Sequence, residues 1–388
     1  MSTSPLSVAI VGGGIGGVAT ANALFQRGVG VHLYEQAPAL LEIGAGVAIQ
    51  PNGVRQLQRL GLGDELLRLG ARWVDPQFRC SDGTYVAAMW PPELASQIEF
   101  YGMHRADLLA MFVDRLPHDI VHTGHRCIGF EQHDDQAVLT FANGARAAAD
   151  VVVAADGIHS TLQQFVVAPS PPLFSGSVAH RGIVSAANVS WPAGAMRNWL
   201  GAGRHFLVFP VRSGELINYV GFVTTAEQSK ESWSAPGDPA ALAREFVGWD
   251  PMVEAILAEA KNTFRWGLYD REPLAKWTHG RLTLLGDAAH PMLPHAGQGA
   301  NQAIEDGVAL AAVLARADRA SAPQALLIYE KLRREHTAGV QQLSRLNGAR
   351  NYASGAERDR ALSEQHQERA WIWNYDAEAE ASAAAESL

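Results

Sequence analysis

Apolar and polar positions follow two different periods along the chain. Near the start, the apolar run from Val8 to Val11 predicts a buried strand, followed by a helix and a second strand that ends at Glu35. Far along the chain, Leu282 to Leu285 predicts another buried strand, followed by a loop and a helix through residues 304–314. Strands that alternate with helices indicate an α/β arrangement at both ends of the sequence.

The middle of the chain has a period of two instead. Four successive antiparallel strands are predicted at residues 177–185, 197–200, 205–211 and 216–224, with a return strand at residues 264–269. Amphipathic helices are predicted at residues 325–346 and 361–373, and a frayed tail at residues 377–388. The apolar cluster from Trp371 to Tyr375 favours docking on the same monomer over docking on a second subunit.

Three segments between these blocks have weaker signals. The glycine-rich stretch from Gly44 to Gly53 predicts an irregular loop, followed by a helix at residues 54–60. Residues 101–108 predict the start of a helix, and two strands are predicted at residues 126–130 and 137–141. A further apolar strand ends in Asp156 and Gly157, where a turn leads into a helix.

Composition narrows the class of protein. The 388 residues are 47% hydrophobic and carry a net charge of −9 without a basic run, so neither nucleic acid nor an anionic membrane surface is an expected partner. Cys80 and Cys127 are too few for a disulfide framework or a cysteine-based metal site, and we expect no metal. No apolar run is long enough to span a membrane, and the sequence predicts a reduced, cytoplasmic protein.

The strongest chemical signal follows the first strand. Gly12, Gly14 and Gly17 have the spacing of a dinucleotide-binding fingerprint, in which they allow a tight turn, close approach of a pyrophosphate, and helix packing on the strand. Glu35 ends the second strand at the position that binds a ribose diol. A glycine-rich turn without a ligand would leave Glu35 unexplained.

A second candidate site follows the strand at Leu282. Asp287 stands at its carboxyl end, and Gly297 to Ala300 precede the next helix, whose N-terminus favours an anionic group. Taken alone, this is equally consistent with an ordinary strand, loop and helix. Arg105 is likewise either a phosphate or ribityl contact or a solvated charge at a helix start.

Together, these motifs resemble the FAD-dependent aromatic hydroxylases of the p-hydroxybenzoate hydroxylase-like class. The resemblance covers residues 8–352 and is carried by the glycine fingerprint with Glu35, by Asp156 with Gly157, and by Gly286, Asp287 and Gly297 in that order. Within the class, Gly44 to Gly46, Val178 to Arg181 and Gly203 to Phe206 are similar to the salicylate hydroxylase and 6-hydroxynicotinate monooxygenase branch.

The resemblance implies FAD as bound cofactor, NADH or NADPH as transient co-substrate, and O2 and a small aromatic acid as further partners. It implies an α/β fold: a Rossmann-like FAD-binding domain, an inserted antiparallel β-sheet substrate domain, and C-terminal helices. The expected domains are 1–175 with substrate-side loops at 72–100, then 176–270, 271–350 and 351–388. A monomer or a homodimer is expected.

It also implies a set of site residues. The expected FAD contacts are Gly12, Gly14, Ile15, Gly17, Glu35, Gln36, Gly46, Val47, Arg105, Asp156, Asp287, Pro294, Gly297, Gly299, Ala300 and Asn301. The expected substrate contacts are Ala48, Gln50, His180, Phe209 and Asn218, and the expected catalytic residues are His205, Arg181 and Pro294.

Two of these roles have open alternatives. His205 is either a base for a substrate hydroxyl or a structural histidine; period-two alternation puts it on one strand face with Leu207 and Phe209. Arg181 either pairs with a substrate carboxylate or ties the two domains together.

The implied activity is hydroxylation of a hydroxybenzoate- or hydroxypyridine-carboxylate-like ring through a flavin hydroperoxide. Ala48 and Phe209 stand where 6-hydroxynicotinate monooxygenases are expected to have His and Tyr, which favours a salicylate-like substrate. The competing functions are a flavin oxidase, reductase or halogenase and a non-enzymatic flavin redox protein. The halogenase is disfavoured because the Trp371–Tyr375 cluster is at the wrong end of the chain and lacks a proline.

Overall fold

The computed structural model describes residues 6–40, 45–226 and 235–388. Gly44, which belongs to the predicted glycine-rich loop, lies outside these residues. Within them, no helix combines the length and the apolar character needed to cross a bilayer.

The strands are, in chain order, β1 (Ser7–Val11), β2 (Gly30–Tyr34), β3 (Gly46–Ile49), β4 (Ala71–Arg72), β5 (Asp75–Cys80), β6 (Tyr85–Ala88), β7 (Tyr101–His104), β8 (Val121–His122), β9 (Cys127–Gln132), β10 (Ala137–Phe141), β11 (Arg146–Ala149), β12 (Val151–Ala154), β13 (Leu173–Ser185), β14 (Ala195–Gly201), β15 (Arg204–Val211), β16 (Leu216–Thr224), β17 (Pro236–Gly237), β18 (Thr263–Asp270), β19 (Thr278–His279) and β20 (Leu282–Leu284).

The α-helices are α1 (Ile15–Gln26), α2 (Pro51–Arg59), α3 (Gly63–Leu69), α4 (Arg105–Val113), α5 (Pro239–Glu245), α6 (Pro251–Glu259), α7 (Gly299–Leu314), α8 (Ala322–Tyr352), α9 (Ala356–Trp373) and α10 (Ala377–Ala384).

A six-stranded sheet carries the nucleotide-binding motifs. Its order is β19-β20-β12-β1-β2-β8, and every neighbouring pair is parallel except β19 with β20. The central strands β20, β12 and β1 consist almost wholly of buried apolar residues, as in a sheet with helices on both faces. The carboxyl ends of β1, β12 and β20 therefore lie side by side, which brings the glycine fingerprint and the Asp287 loop to one edge.

An eight-stranded sheet, in the order β17-β18-β13-β16-β15-β14-β5-β6, forms the second layer. Its pairs are antiparallel except β14 with β5, which is parallel. One apolar cluster fills the space between this sheet and the helices α5 and α6, and another joins the sheet to α8 and α9. These sheets and the C-terminal helices confirm the α/β fold class, whereas the domain boundaries stay a prediction.

Four local predictions were wrong. The stretch after Gly44 is not irregular from Gly46 onward, because β3 pairs with β7 and α2 begins at Pro51. Residues 101–104 form a strand, and the helix begins only at Arg105. The expected loops at 72–100 contain β5 and β6 of the large sheet. The tail is not frayed, because Ala377, Ala381 and Ala385 are buried against the core and α10 packs on α7.

Candidate active site

One cavity joins the edge of the parallel sheet to the face of the eight-stranded sheet. It contains about 1950 Å³ of space outside protein atoms, part of it open to solvent. Its lining runs from the glycine fingerprint after β1 and the Asp287 loop to side chains of the eight-stranded sheet.

The cavity brings together most of the predicted site residues. Those that line it are Gly14, Ile15, Gly46, Val47, Ala48, Gln50, Arg105, Arg181, His205, Phe209, Asn218, Asp287, Pro294, Gly297, Gly299 and Ala300. Those that do not line it are Gly12, Gly17, Glu35, Gln36, Asp156, His180 and Asn301.

The glycine fingerprint explains why Gly12 and Gly17 lie outside the lining. Gly12 has a φ of +110°, and a Cβ there would lie 2.2 Å from the carbonyl oxygen of Ala155. A Cβ on Gly17 would lie 1.9 Å from the carbonyl oxygen of Gly12, so both glycines serve backbone packing. A Cβ on Gly14, by contrast, would have no heavy atom within 4 Å.

Glu35 holds this loop from the end of β2. Its Oε2 accepts a hydrogen bond from Gly13 N at 2.7 Å, and its Oε1 accepts one from Ala37 N at 2.7 Å. Since a carboxylate has about four acceptor positions, Glu35 can still bind a diol while it holds the turn.

Two further predicted residues, Asn301 and Asp156, act within the protein. Asn301 accepts from Gln50 N and donates to the carbonyl oxygens of Ala48 and Gly297, each at 3.0 Å. The Oδ2 of Asp156 accepts from Thr161 N at 2.8 Å and closes the turn after β12. These bonds fix the walls of the cavity without reaching into it.

His180 faces away from the cavity, contrary to the expected substrate contact. Successive side chains of a strand point to opposite faces, and its neighbour Arg181 is the one that lines the cavity. His180 lies opposite Arg265 on β18, and burial with this cation lowers its pKa to about 4. The adjacent Arg181 guanidinium lies over the Trp266 ring, 4.8 Å from its centroid.

Two helix N-termini open onto the cavity, those of α1 and α7. Each presents unpaired backbone N–H groups and a partial positive charge, and Cβ atoms on Gly14 and Gly299 would have no neighbour within 4 Å. The backbone at these two helix N-termini therefore has space for a bulky anion beside it. FAD would fit this arrangement, because the N-terminus of α1 could hold its pyrophosphate and that of α7 could hold its flavin.

A network of buried charged side chains supports the Asp287 loop. The Oδ2 of Asp306 accepts from Gly286 N at 3.1 Å and lies 2.6 Å from His290 Nε2, while its Oδ1 accepts from Arg333 Nε at 2.8 Å. Burial acts to raise the Asp306 pKa, but His290 and Arg333 lower it to about 2.

Asp287 itself opens onto the cavity. The residue is exposed to this open space, yet the protein packed around its carboxylate raises the Asp287 pKa, while His290 and Arg105 oppose this change. At neutral pH its carboxylate can accept hydrogen bonds from a polyol.

His205 lines the other end of the cavity and is fully enclosed by side chains. Its ring stacks on Phe222 with a centroid distance of 4.1 Å, and its Nδ1 lies 3.1 Å from Asn198 Oδ1. An amide oxygen only accepts, so Nδ1 carries the proton and Nε2 is an acceptor. Nε2 is buried and has no hydrogen-bond partner in the described chain. Burial, with a smaller effect of His295, lowers the His205 pKa well below its ordinary value.

Asn218 and Gln50 differ in what they leave for a ligand. The Oδ1 of Asn218 accepts from Gly46 N at 2.7 Å, and its Nδ2 has no partner among the described residues. The Gln50 amide is saturated, because Nε2 donates to Ala296 and Gly297 and Oε1 accepts from Gln298 and Trp373. Of these two amides, that of Asn218 retains a donor.

Sequence reasoning missed the contribution of the C-terminal helices. Asn347, Arg350 and Asn351 of α8 and Leu362, Gln365 and Arg369 of α9 line the cavity. It also missed Asn198, the partner of His205. The apolar Trp371–Tyr375 cluster was the available signal, since Trp373 packs edge-on against Phe100 in the cavity wall.

A family model described as an FAD binding domain matches residues 5–344. Among curated proteins, the chain is 37% identical over 387 residues to 3-amino-4-hydroxybenzoate 2-monooxygenase of Streptomyces platensis, covering 96% of each chain. It is 37% identical to a salicylate hydroxylase of Pseudomonas putida, covering 87% of this chain and 84% of that protein.

The chain belongs to the FAD-dependent aromatic monooxygenases. A solved structure described as a salicylate hydroxylase substrate complex matches this monooxygenase with a TM-score of 0.85 and 32% identity over 98% of each chain. The 6-hydroxynicotinate 3-monooxygenase of Pseudomonas fluorescens is 33% identical and covers 89% of this chain and 92% of that protein. FAD is therefore the cofactor of this monooxygenase, as the resemblance of its motifs implied.

Proposed function

We propose that the protein hydroxylates an aromatic acid that carries a ring hydroxyl, using NADH or NADPH and O2. A salicylate-like substrate is favoured over a hydroxypyridine acid. The observation that carries this proposal is the His205 Nε2 acceptor, which is buried, has no protein partner in the described chain, and belongs to a cavity-lining ring.

His205 suits a substrate hydroxyl because its tautomer is fixed. The Asn198 amide holds the proton on Nδ1, and the lowered pKa keeps the ring neutral. A neutral acceptor can take a hydrogen bond, or a proton, from a phenol, and a phenolate-like ring is a better nucleophile. When bound, FAD would take electrons from the nicotinamide co-substrate and use them to activate O2.

The cavity walls support an apolar ring with few polar groups. Trp73 and Phe100 stack with a centroid distance of 5.3 Å, and Phe209 packs on Trp73 at 5.4 Å. Ala48 and Phe209 line this wall at positions where a hydroxyl or an imidazole is expected in relatives that bind hydroxypyridine acids. Neither of these two side chains offers a hydrogen-bond partner to a ring nitrogen. These apolar surfaces also exclude water, which protects a reactive oxygen species from unproductive decay.

The remaining roles follow the family resemblance and the position of each residue. Asp287, Arg105 and the amides from Gly297 to Ala300 line the cavity, where Asp287 holds one end of FAD, Arg105 contacts its chain and the amides face the flavin. Glu35 lies outside the lining, beside the glycine turn that it holds, and binds FAD at the opposite end. Pro294 shapes the turn beside the flavin, and Asn218 Nδ2 donates to the flavin or the substrate.

The test uses purified, FAD-loaded protein. NADH and NADPH oxidation would be followed with salicylate, other hydroxybenzoates and hydroxypyridine acids, while H2O2 and hydroxylated product are measured separately. We expect salicylate-like acids to stimulate oxidation and to be converted with little H2O2. A protein that oxidises NAD(P)H equally with and without every acid, and yields only H2O2, would instead be a flavin oxidase or reductase.

A further inference from the structure

Arg369 on α9 is a buried arginine that forms no ion pair with any residue the structure describes. The residue is 7% exposed, and its Nε has no hydrogen-bond partner among those residues. Within residues 6–40, 45–226 and 235–388, its guanidinium has no ion pair, hydrogen bond or aromatic ring beneath it. Other buried arginines differ: Arg333 pairs with Asp306, and Arg358, on the same helix, pairs with Asp359.

The nearest acidic neighbour is already paired. Both carboxylate oxygens of Glu368 accept from Arg350, one of them at 2.9 Å from its Nη2. Burial lowers the Arg369 pKa to about 10, so the side chain stays protonated at neutral pH. A buried charge without a partner is destabilising, so its presence calls for a binding partner outside the protein.

The position of Arg369 indicates where that partner lies. Leu362, Gln365 and Arg369 follow a helical spacing and line the cavity. One turn further, Trp373 packs edge-on against Phe100 with a centroid distance of 5.5 Å. Leu362, Trp373 and Phe100 belong to one apolar cluster. Arg369 therefore lies on the cavity-lining face of α9, one turn from the aromatic side chains of this cluster.

We infer that Arg369 binds the carboxylate of the aromatic substrate, so that a residue of the C-terminal helix α9 selects for acids. The inference rests on the proposed function and adds the group that recognises the acid. Guanidinium and carboxylate are matched in geometry and form short, charge-assisted hydrogen bonds. Arg181 is the less suitable cation, because Trp266 already stacks on its guanidinium.

The experiment compares acid and amide ligands in matched variants. Salicylate and salicylamide would be titrated calorimetrically into FAD-loaded wild type, R369Q, R369K and R358Q. We expect R369Q to weaken salicylate binding by roughly ten- to a hundred-fold, the size of a lost charge-assisted bond, and to leave salicylamide binding unchanged. R369K should retain part of the preference for the acid, and R358Q all of it.

Thermal stability gives a second readout. Because removal of an unpaired buried charge relieves a desolvation penalty, R369Q without substrate should melt at the same temperature as wild type or higher. A purely structural arginine would give the opposite result. The KM for NAD(P)H should stay the same, since the bound group is the carboxylate of the ring substrate and not a phosphate of the co-substrate.

The outcomes separate the two proposals. If wild type binds salicylate and R369Q keeps the same ratio of acid to amide affinity, the role of Arg369 is wrong while the hydroxylase function stands. Equal binding of acid and amide by wild type would overturn the role of Arg369 in the same way, as would a raised KM for NAD(P)H with unchanged acid binding. If wild type neither binds nor converts any aromatic acid, both proposals fail.

Discussion

Gly12 and Gly14 are two residues apart, but a side chain would meet opposite surroundings at each. A Cβ on Gly14 projects into open space, and its φ of −71° suits any residue. We therefore predict that Gly14→Val folds normally and purifies without FAD. Circular dichroism melting and flavin absorbance check the two halves of this prediction.

Gly12→Val is the contrasting variant, because its Cβ would overlap the Ala155 carbonyl and its φ is +110°. We expect loss of folded protein there, not only loss of FAD. A Gly14→Val protein that carries a full complement of FAD would contradict the proposed pyrophosphate position.

His205→Ala should bind FAD and still oxidise NAD(P)H, but hydroxylate slowly and release H2O2. Loss of a general base typically lowers a rate by about 10²–10⁴, and here it also removes the acceptor at Nε2. The measurement is the ratio of hydroxylated product to NAD(P)H consumed.

His180→Ala is the matched control, since His180 is also a buried histidine of the same sheet but does not line the cavity. It should keep the wild-type coupling ratio. Near wild-type coupling in His205→Ala would make His205 structural and move the role to Arg181 or Asn218.

At this scale, the sequence predicted those residues whose position follows from a local rule. Alternation along β15 correctly placed His205 and Phe209 on the cavity face. The same rule, applied to the adjacent pair His180 and Arg181, allowed only one of them to face the cavity. Arg369 could not be predicted, because the absence of a counter-ion is a property of packing between distant segments.

Among the elements, the C-terminal helix α10 differs most from its prediction. Ala377 and Ala381 of α10, with Ala385 directly after it, form a buried stripe, and α10 packs on α7. At its start, Arg27 pairs with Glu378 and Arg59 with Asp376. An Ala/Glu composition resembles a solvated tail because small side chains give a weak apolar signal. These small side chains allow the backbones of α10 and α7 to approach each other closely.

Ala381→Glu should lower stability, since overpacking alone costs about 1–3 kcal/mol and a buried unpaired charge adds to it. Ala383→Glu, on the exposed side of the same helix, should change little. The melting temperatures of the two variants provide the comparison. Equal melting temperatures would mean that α10 does not pack on α7 in solution.

The helix α2 shows a related limit of sequence reasoning. Gly53 suggested a turn, but it lies inside α2, where a Cβ would be 2.1 Å from Asn301 Oδ1. The glycine there reflects close packing on α7 and not a bend. Pro51 at the first helical position was the signal for the correct start.

For the whole molecule, the buried pair Glu305 and Arg333 predicts a pH-dependent stability. Burial raises the Glu305 pKa from 4.5 to about 7, although Arg333 Nη2 lies 3.1 Å from its Oε2. The folded state therefore holds the proton more tightly than the unfolded state. As pH rises from about 4.5 to about 7, the free energy of unfolding should fall, by on the order of 2–3 kcal/mol.

Glu305→Gln keeps the shape of the side chain and removes the titration. The difference in melting temperature between this variant and wild type should grow in favour of the variant as pH rises through this window. A difference that is constant from pH 5 to pH 8 would show that Glu305 stays ionised in the folded protein.

The two helix N-termini of the FAD site, α1 and α7, come from distant parts of the chain, and β20 must join β12 before they can face each other. Translation proceeds at roughly 5–20 residues per second. At that rate the ribosome reaches the N-terminus of α7 roughly 15–60 s after it has made that of α1. The nascent chain spends that interval with half a binding site. The complete site therefore forms only after α7 has been made and β20 has paired with β12.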